Sequence, residues 1–533
     1  MRNFMERRFS DFFTNETAQN CAFLESSGNE DPFITGLEYD SRNVKKGNIF
    51  FAMQGLHTDG NLFIDDAVEK GASVIFHENE IKEKKKGILY IKVKNASYAM
   101  SPVSDAFYDY PSRRLFVTGV TGTEGKSSTV YFIWQLLTLM GKKAGFFSTV
   151  QQCTGNDVFW NSEHQTTPEA PVVQKLLREM ADNGCRFAVV EASSHGLSEK
   201  TNRLGDVNFF SAVLTNLTHD HLEFHGTWEQ YRHDKANLFR SLDKYKNLNE
   251  TSPLNPFGVI NADDKSLRYF QDASKQKIFK FSASEKEADI TVKKIESCAK
   301  GNNYSVYIQK LNEHLEISDN LPGEYNCKNV MAALLTVSGL LNISVKEIIP
   351  YIKMLKPVRG RMNSINKGQP FEVIVDFAHT PSSFETIFPP LRSRLNKTGG
   401  KIISLFGSAG ERDVQKRPAQ GRIAAIYSGV IILTDEDPRS ENPMDILEEI
   451  AHGCETSTDD ETSRDHITFV RGENLFLIPD RCSAIRKALS LACPKDLVLL
   501  LGKGHENSII YADHVMPFDE ITETEKALGE MEY

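Results

Sequence analysis

Long apolar runs are missing from this sequence. No stretch approaches the roughly 20 residues that a membrane-spanning helix needs, and the short run at 497–501 reads as a core strand. The first eight residues, from Met1 through Arg7 and Arg8, lack the apolar centre of a secretory signal peptide. Cysteine is sparse: eight residues, at 21, 153, 185, 298, 327, 454, 482 and 493, contain no Cys-x-x-Cys pair. That scatter fits a reducing compartment, with most thiols serving as small buried apolar groups. Positive charge is in deficit, 62 Lys and Arg against 72 Asp and Glu for a net charge of -10. A nucleic-acid partner is disfavoured, because neutralising a phosphate backbone needs a basic field; a local basic groove for a small phosphorylated substrate is still allowed. Repeats and low-complexity tracts are absent as well. A cytoplasmic protein without nucleic-acid or membrane partners is expected.

What is present is an ordinary globular composition, 40% apolar and 25% charged. At 533 residues the chain exceeds what one hydrophobic core supports, so two to four domains are expected. The charge run at 78–86 reads as a solvated turn. Breaks are expected near Tyr110, Pro111 and Ser112, and again near Lys356, Pro357, Arg359 and Gly360, where Pro and Gly separate a helical pattern from a strand. Between them the chain alternates: strands at 115–120, 188–190 and 212–214, a helix over 127–140 ending at Gly141 with Lys142 and Lys143, and a capping box at Thr227 to Gln230 opening a helix through Phe239. The last third repeats the pattern with strands at 373–377, 402–406, 430–434 and 497–501. Strand–helix alternation predicts parallel sheets in both segments. The first segment is less regular and is expected to be a small α/β domain.

The run Gly119, Val120, Thr121, Gly122, Thr123, Glu124, Gly125, Lys126, Ser127, Ser128 lies between a strand and a helix. Glycines let backbone N–H groups close round phosphate oxygens, and a helix N-terminus adds its positive end. Lys126 would reach the β- and γ-phosphates and Ser127 would ligate Mg²⁺. The spacing departs from the strict phosphate-loop pattern at Val120, and the bland reading is a Gly-rich strand–helix turn; Gly-Lys-Ser in this context favours the phosphate reading. Glu191 closes the next buried strand, where ligands of open α/β sheets gather. Alone it is a strand-end surface charge; beside Lys126 it becomes a candidate Mg²⁺ ligand, as does His221 after Asp220.

The chain then resembles the Mur ligase family over nearly its whole length. The resemblance is carried in order by Asp40, Ser41 and Arg42; the loop at 121–126; Thr166, Thr167 and Pro168; Glu191 through His195 and Gly196; Asn216 with Asp220 and His221; Asn261 through Asp264; and Gly323, Asn326 and Asn329. It continues through Gly360, Arg361 and Met362; Asp376 through His379 and Pro381; Arg412 and Asp413 with Lys416 and Arg417; and Gly502, Lys503, Gly504, His505 and Glu506. The resemblance implies an α/β protein of three domains: a nucleotide-sugar domain over 1–111, a central phosphate-loop ATPase-like domain over 112–356, and a Rossmann-like amino-acid domain over 357–533. It implies an ATP-dependent acid–amino-acid ligase of peptidoglycan precursor synthesis. ATP phosphorylates the D-glutamate carboxylate of UDP-MurNAc-L-Ala-D-Glu, and a diamino acid captures the acyl phosphate. A free carboxylate repels nucleophiles and has no good leaving group, hence the activation.

Site residues follow from the same resemblance. Lys126, Glu191, His221 and Lys235 carry catalysis, and Ser127, Glu191, His221 and Lys235 hold the metal, two Mg²⁺ in all, with Lys235 at the position that is N6-carboxylated in the family. Gly122, Thr123, Gly125, Lys126, Ser127, Ser128, Asn261, Arg361, Asp376 and His379 bind nucleotide. Ser41, Thr166, Thr167, Ser193, Arg203, Arg412, Asp437, Arg439, Gly502 and Glu506 bind substrates, and a monomer is expected. Glu436, Asp437, Pro438 and Arg439 occupy the selectivity motif, where a guanidinium can fork both oxygens of a distal carboxylate. That favours meso-diaminopimelate over L-lysine or L-ornithine, unless Arg439 merely pairs with Glu436 or Glu441. Asp437 stands where the family usually has Asn, an extra anion that suits a distal ammonium. Glu124, Phe377, Ser408, Ala409 and Glu411 also depart from the pattern. A related ligase of the same superfamily and a non-catalytic nucleotide-binding regulator are the alternatives.

Overall fold

The computed structural model describes all residues except 1–5, 29, 56–58, 162–164, 219–221, 247–253, 285, 299–300, 322 and 457–466. The chain forms two compact units. One comprises Met1–Ile295 with Asn303–Ser318 and Tyr325–Leu355; the other comprises Lys356–Tyr533 with Glu296–Asn302 and Asp319–Glu324. Among the described residues no helix is long and apolar enough to cross a membrane. Seven cysteines with described side chains are free, and five of them are buried.

The first unit contains two large sheets. The smaller has five strands in the order Phe23–Ser27, Leu89–Val93, Val74–His77, Asn48–Phe51, Gly36–Glu38, parallel except for its first edge. Asn48–Phe51 and Val74–His77 are buried at every position, as expected of strands covered on both faces. The larger sheet is built round Phe116–Thr121, which lies between Phe187–Glu191 and Phe209–Leu214, all three parallel. Both neighbours are buried throughout. Outward from these, Ala144–Phe147, Phe257–Asn261 and Lys277–Ser282 continue the parallel core.

The sheet does not stop there. Gln151–Cys153 and Val158–Trp160 extend one side as an antiparallel hairpin, and Ile290–Cys298, Gly301–Ile308 and Glu313–Ser318 extend the other, to eleven strands. The expectation of parallel pairing therefore holds from Ala144–Phe147 through Ile290–Cys298 and is corrected at the edges, where Gln151–Cys153 with Val158–Trp160 and Gly301–Ile308 with Glu313–Ser318 pair antiparallel. A hairpin needs only a short turn, whereas each parallel neighbour needs a crossover, so sheet edges grow most directly by hairpins.

Helix Ala170–Asp182 buries Val173, Leu176, Leu177 and Met180, the i, i+3, i+4, i+7 stripe of an amphipathic helix. Helix Lys126–Leu139 stops at Met140, followed by Gly141 at φ 72, the left-handed exit for which glycine is suited. The expected capping box at Thr227 is half formed. Thr227 Oγ1 accepts from Gln230 N at 3.1 Å, but the Gln230 side chain donates to Asp234 Oδ1 at 2.8 Å instead of turning back. The helix runs Trp228–Ser241.

The second unit has a six-stranded sheet in the order Asn363–Ile365, Glu372–Asp376, Leu497–Leu501, Ile402–Phe406, Val430–Leu433, Leu475–Leu477. Only the Asn363–Ile365 edge is antiparallel. Leu497–Leu501 and Ile402–Phe406 are wholly buried at the centre. The carboxyl ends of these strands launch the loops that carry the candidate residues of this unit.

Candidate active site

In the first unit the strand Phe116–Thr121 runs into Gly122 at φ 150 and Gly125 at φ 80, and the helix begins at Lys126. A Cβ on Gly122 would lie 2.0 Å from Thr215 Oγ1, and one on Gly125 would lie 2.5 Å from Asn329 Oδ1. Both positions thus require glycine for space as well as for backbone angle. The loop is strapped from the neighbouring strand: Thr215 Oγ1 donates to Glu124 O at 2.6 Å, Glu124 N donates to Asn216 Oδ1 at 2.9 Å, and Thr123 N donates to Asn216 O at 2.9 Å. Lys126 Nζ folds back onto Thr123 O at 2.9 Å. Ser128 follows, half-buried, on the first turn of the helix.

Ser127 Oγ donates to Glu191 Oε2 at 2.9 Å, and the same oxygen accepts from Thr149 N at 2.8 Å. Glu191 is only 1% exposed, which sets aside the reading of a strand-end surface charge. Around the end of its strand, Thr167 Oγ1 donates to Glu191 O at 2.9 Å and accepts from Ser193 N at 3.0 Å. Ser193 Oγ caps the next short helix by accepting from Gly196 N at 3.1 Å. Arg203 reaches back to Thr167 O at 2.9 Å and pairs with Glu169 at 2.5 Å. Thr166 is half-buried beside them. Four residues expected to bind substrate are therefore contiguous.

Lys235 is 2% exposed on helix Trp228–Ser241 and donates to Gly122 O at 2.7 Å, with its ammonium 4.8 Å above the Tyr231 ring. This anchors the helix to the loop. Asn261 is buried and donates to Thr215 O at 2.9 Å, behind the strap. Ser41 is buried in the five-stranded sheet's domain, its carbonyl accepting from Lys70 Nζ at 3.1 Å. His221 lies outside the described residues.

These groups suit a nucleoside triphosphate with Mg²⁺. The loop closes where any side chain would collide, and the hydroxyl of Ser127 and the carboxylate of Glu191 supply oxygen donors of the kind Mg²⁺ takes. Among the described residues no three His, Cys, Asp or Glu side chains converge.

In the second unit, Asp376 ends strand Glu372–Asp376. Its oxygens accept from Met362 N at 2.7 Å and Ala378 N at 2.8 Å. Burial raises its carboxyl above the usual range despite the nearby Arg361 cation. Arg361 lies over the Phe377 ring at 4.7 Å, and that ring contacts His379 at 4.6 Å and His505 at 4.4 Å. Burial, with the Arg361 charge adding to it, pushes both imidazoles below their ordinary value.

The selectivity loop departs from expectation at Asp437. Its Oδ1 accepts from Lys503 Nζ at 2.8 Å and from Ile510 N at 2.9 Å. Lys503, 1% exposed, also pairs with Glu506 at 2.5 Å. The extra anion is thus answered from within the chain rather than standing open to a ligand ammonium. Arg439 differs in the opposite sense: among the described residues it forms no ion pair, and its Nε is buried without a partner. Glu441 instead binds Arg417 at 2.9 Å, which removes one neighbour to which Arg439 was expected to be able to turn. The Arg439 backbone sits at φ 55, a conformation that costs a non-glycine residue and concentrates at functional loops. Gly502 has φ 102, and a Cβ there would lie 3.1 Å from Glu436 Oε2, itself buried and unpartnered. Arg412 is exposed on the loop after Ile402–Phe406.

Sequence reasoning named Gly502 and Glu506 from one motif and passed over Lys503 between them, although a lysine flanked by glycines was in view. Thr215 and Thr149 carried no motif signal.

Comparison with known proteins matches three family descriptions: "Mur ligase family, catalytic domain" at residues 33–111, "Mur ligase middle domain" at 120–337, and "Mur ligase, glutamate ligase domain" at 360–504. A UDP-N-acetylmuramyl-tripeptide synthetase of Treponema denticola is 50% identical over 520 residues, 94% of this chain and 95% of that one. A UDP-N-acetylmuramoyl-L-alanyl-D-glutamate--2,6-diaminopimelate ligase of Clostridium tetani is 34% identical over 498 residues, 93% of this chain and 94% of the relative. Among solved structures, a UDP-N-acetylmuramoyl-L-alanyl-D-glutamate--2,6-diaminopimelate ligase superposes with a TM-score of 0.61 at 26% identity, covering 99% of this chain and 100% of the other.

Proposed function

The chain belongs to the Mur ligase family of ATP-dependent amide-bond ligases, and on that premise we propose that it adds a diamino acid, meso-diaminopimelate foremost, to UDP-MurNAc-L-Ala-D-Glu. Residues 1–111 are assigned to the UDP-sugar, 112–356 to ATP and 357–533 to the amino acid. The observation that carries the reading is the closed loop of Gly122 and Gly125, with Ser127 bound to Glu191 and Lys235 bound to the loop carbonyl.

The residues then divide the work. Gly122, Gly125 and Ser128 offer backbone N–H groups to phosphate oxygens, Thr123 is assigned to the nucleotide beside them with its own N–H spent on Asn216 O, and Lys126 leaves the Thr123 carbonyl to meet the transferring phosphate, where a fixed cation stabilises developing charge. Ser127, Glu191, His221 and Lys235 would hold two Mg²⁺; when bound, the metal neutralises the phosphates and lets the D-glutamate carboxylate approach as nucleophile. Lys235 in this role is N6-carboxylated, which replaces a cation by an anion; incubation with ¹³C-bicarbonate should give a carbamate carbon resonance that the Lys235→Arg variant lacks. Asn261, Arg361, Asp376 and His379 are assigned to the nucleotide. Thr166, Thr167, Ser193 and Arg203 orient the peptide carboxylate, and Ser41 binds the nucleotide-sugar. Arg412, Asp437, Gly502 and Glu506 shape the amino-acid pocket. Arg439 gives it a guanidinium with an unpartnered Nε, which a distal carboxylate satisfies and a lysine or ornithine side chain does not.

The purified protein is expected to release phosphate from ATP only when UDP-MurNAc-dipeptide and a diamino acid are both present. Phosphate release driven by another acceptor refutes the assignment. Competition among diaminopimelate, lysine and ornithine in one reaction decides the amino acid, and product dominated by lysine or ornithine refutes the fork.

A further inference from the structure

We propose that Arg481 is a positioning residue that ties together the two loops of the amino-acid pocket. It opens helix Arg481–Ser490 and is fully buried. Its Nη1 donates to Asp435 O at 2.8 Å and its Nη2 to Leu501 O at 2.7 Å. The same guanidinium is gripped by Glu520, also fully buried, through Nη2 to Oε1 at 2.9 Å and Nε to Oε2 at 3.0 Å.

Leu501 ends one strand and Asp435 lies two residues past the end of another, and these strands are not neighbours. Val430–Leu433 and Leu497–Leu501 lie on opposite sides of Ile402–Phe406, so no ladder hydrogen bond sets the spacing of their ends. Arg481 reaches across the end of the intervening strand and sets it. Beyond Asp435 come Glu436, Asp437 and Arg439; beyond Leu501 come Gly502, Lys503 and Glu506. Further ties radiate from the same tether: Tyr511 Oη donates to Asp435 Oδ2 at 3.0 Å, Lys503 Nζ to Asp437 Oδ1 at 2.8 Å, and Arg439 N to Ile510 O at 3.0 Å.

A planar fork with five fixed donors can serve two carbonyls and a carboxylate together, which a single ammonium cannot. Stability alone is a weak reason for such a pair, since a buried ion pair is commonly matched or bettered by apolar groups of similar volume. The inference rests on the reading that these loops receive the incoming amino acid.

The test separates folding from positioning. The full-length double variant Arg481→Met/Glu520→Met removes both charges and leaves no buried charge unpaired; Arg481→Lys keeps a cation for Glu520 but loses the fork. For each, KM is measured separately for the diamino acid, ATP and UDP-MurNAc-dipeptide, with thermal unfolding in parallel. We expect the diamino-acid KM to rise about tenfold or more, because small misplacements of binding groups are costly, while the other two stay within about twofold. Amide exchange in 435–439 and 502–506 should quicken by about tenfold in Arg481→Lys. A folded variant whose diamino-acid KM stays within about twofold, or whose kcat alone falls, overturns the proposal. Wild-type protein inactive with every diamino acid overturns the underlying reading and this inference with it.

Discussion

Gly125→Ala puts the phosphate-loop assignment under the sharpest strain. Gly125 sits at φ 80, where an L-residue costs about 1–2 kcal/mol. The new methyl would lie 2.5 Å from Asn329 Oδ1, so Asn329 must move. Asn329 accepts from Thr129 Oγ1 at 3.3 Å and donates to Asn326 Oδ1 at 3.1 Å; losing such bonds costs about 0.5–1.5 kcal/mol each. The sum is about 2–5 kcal/mol against the native loop, or roughly 30- to 4,000-fold weaker nucleotide binding if charged wholly to that step. Titrating ATP by calorimetry reads this directly. In an Asn329→Ala background the collision disappears and only the backbone cost remains, roughly 5- to 30-fold relative to that background. Binding within about twofold of wild type, or an equal loss in both backgrounds, refutes the claim that the loop holds the phosphates in the conformation described.

Other outcomes follow from the same geometry. Lys126→Ala should lower phosphate release about 100-fold or more at saturating substrates with little change in melting temperature, because the group it leaves, Thr123 O, belongs to a half-buried residue; unchanged turnover would remove the loop from catalysis. Arg439→Ala should cost diaminopimelate about 10- to 100-fold in kcat/KM, the worth of charged hydrogen bonds, and lysine far less; equal losses defeat the carboxylate fork. Asp437→Asn should leave the preference among diamino acids within about threefold, a change below 1 kcal/mol, since Lys503 already answers that charge; a larger swing would mean the carboxylate meets the ligand. Burial raises the Asp435 carboxyl to about 6. An acid whose folded value lies above its unfolded one loses stability as pH rises between the two. Asp435→Asn should therefore gain thermal stability relative to wild type as pH climbs from about 4 to about 6, with a constant difference counting against it.

Much of the fold was legible in short stretches. Apolar runs identified Phe116–Thr121, Phe187–Glu191, Ile402–Phe406 and Leu497–Leu501 to within two residues at either end, because strands buried on both faces need such runs. The antiparallel flanks were not legible. Gln151–Cys153 and Val158–Trp160 are three residues each and partly exposed, too short for a period to register. Half of the expected capping box failed because Gln230 had a nearer partner in Asp234.

The sequence by itself determined the phosphate loop and the order of the candidate residues. Glycine, lysine and serine between a strand and a helix define their local geometry without help from distant residues. Only tertiary structure decided which charges are answered and which stand open. Asp437 and Lys503 lie 66 positions apart, and Arg481 and Glu520 lie 39 apart. Whether such groups meet depends on which strands adjoin in the sheet and on which loops leave the same end of it. Arg439, which forms no ion pair among the described residues, was settled in the same way: nothing in its neighbouring letters says that Glu441 is taken by Arg417.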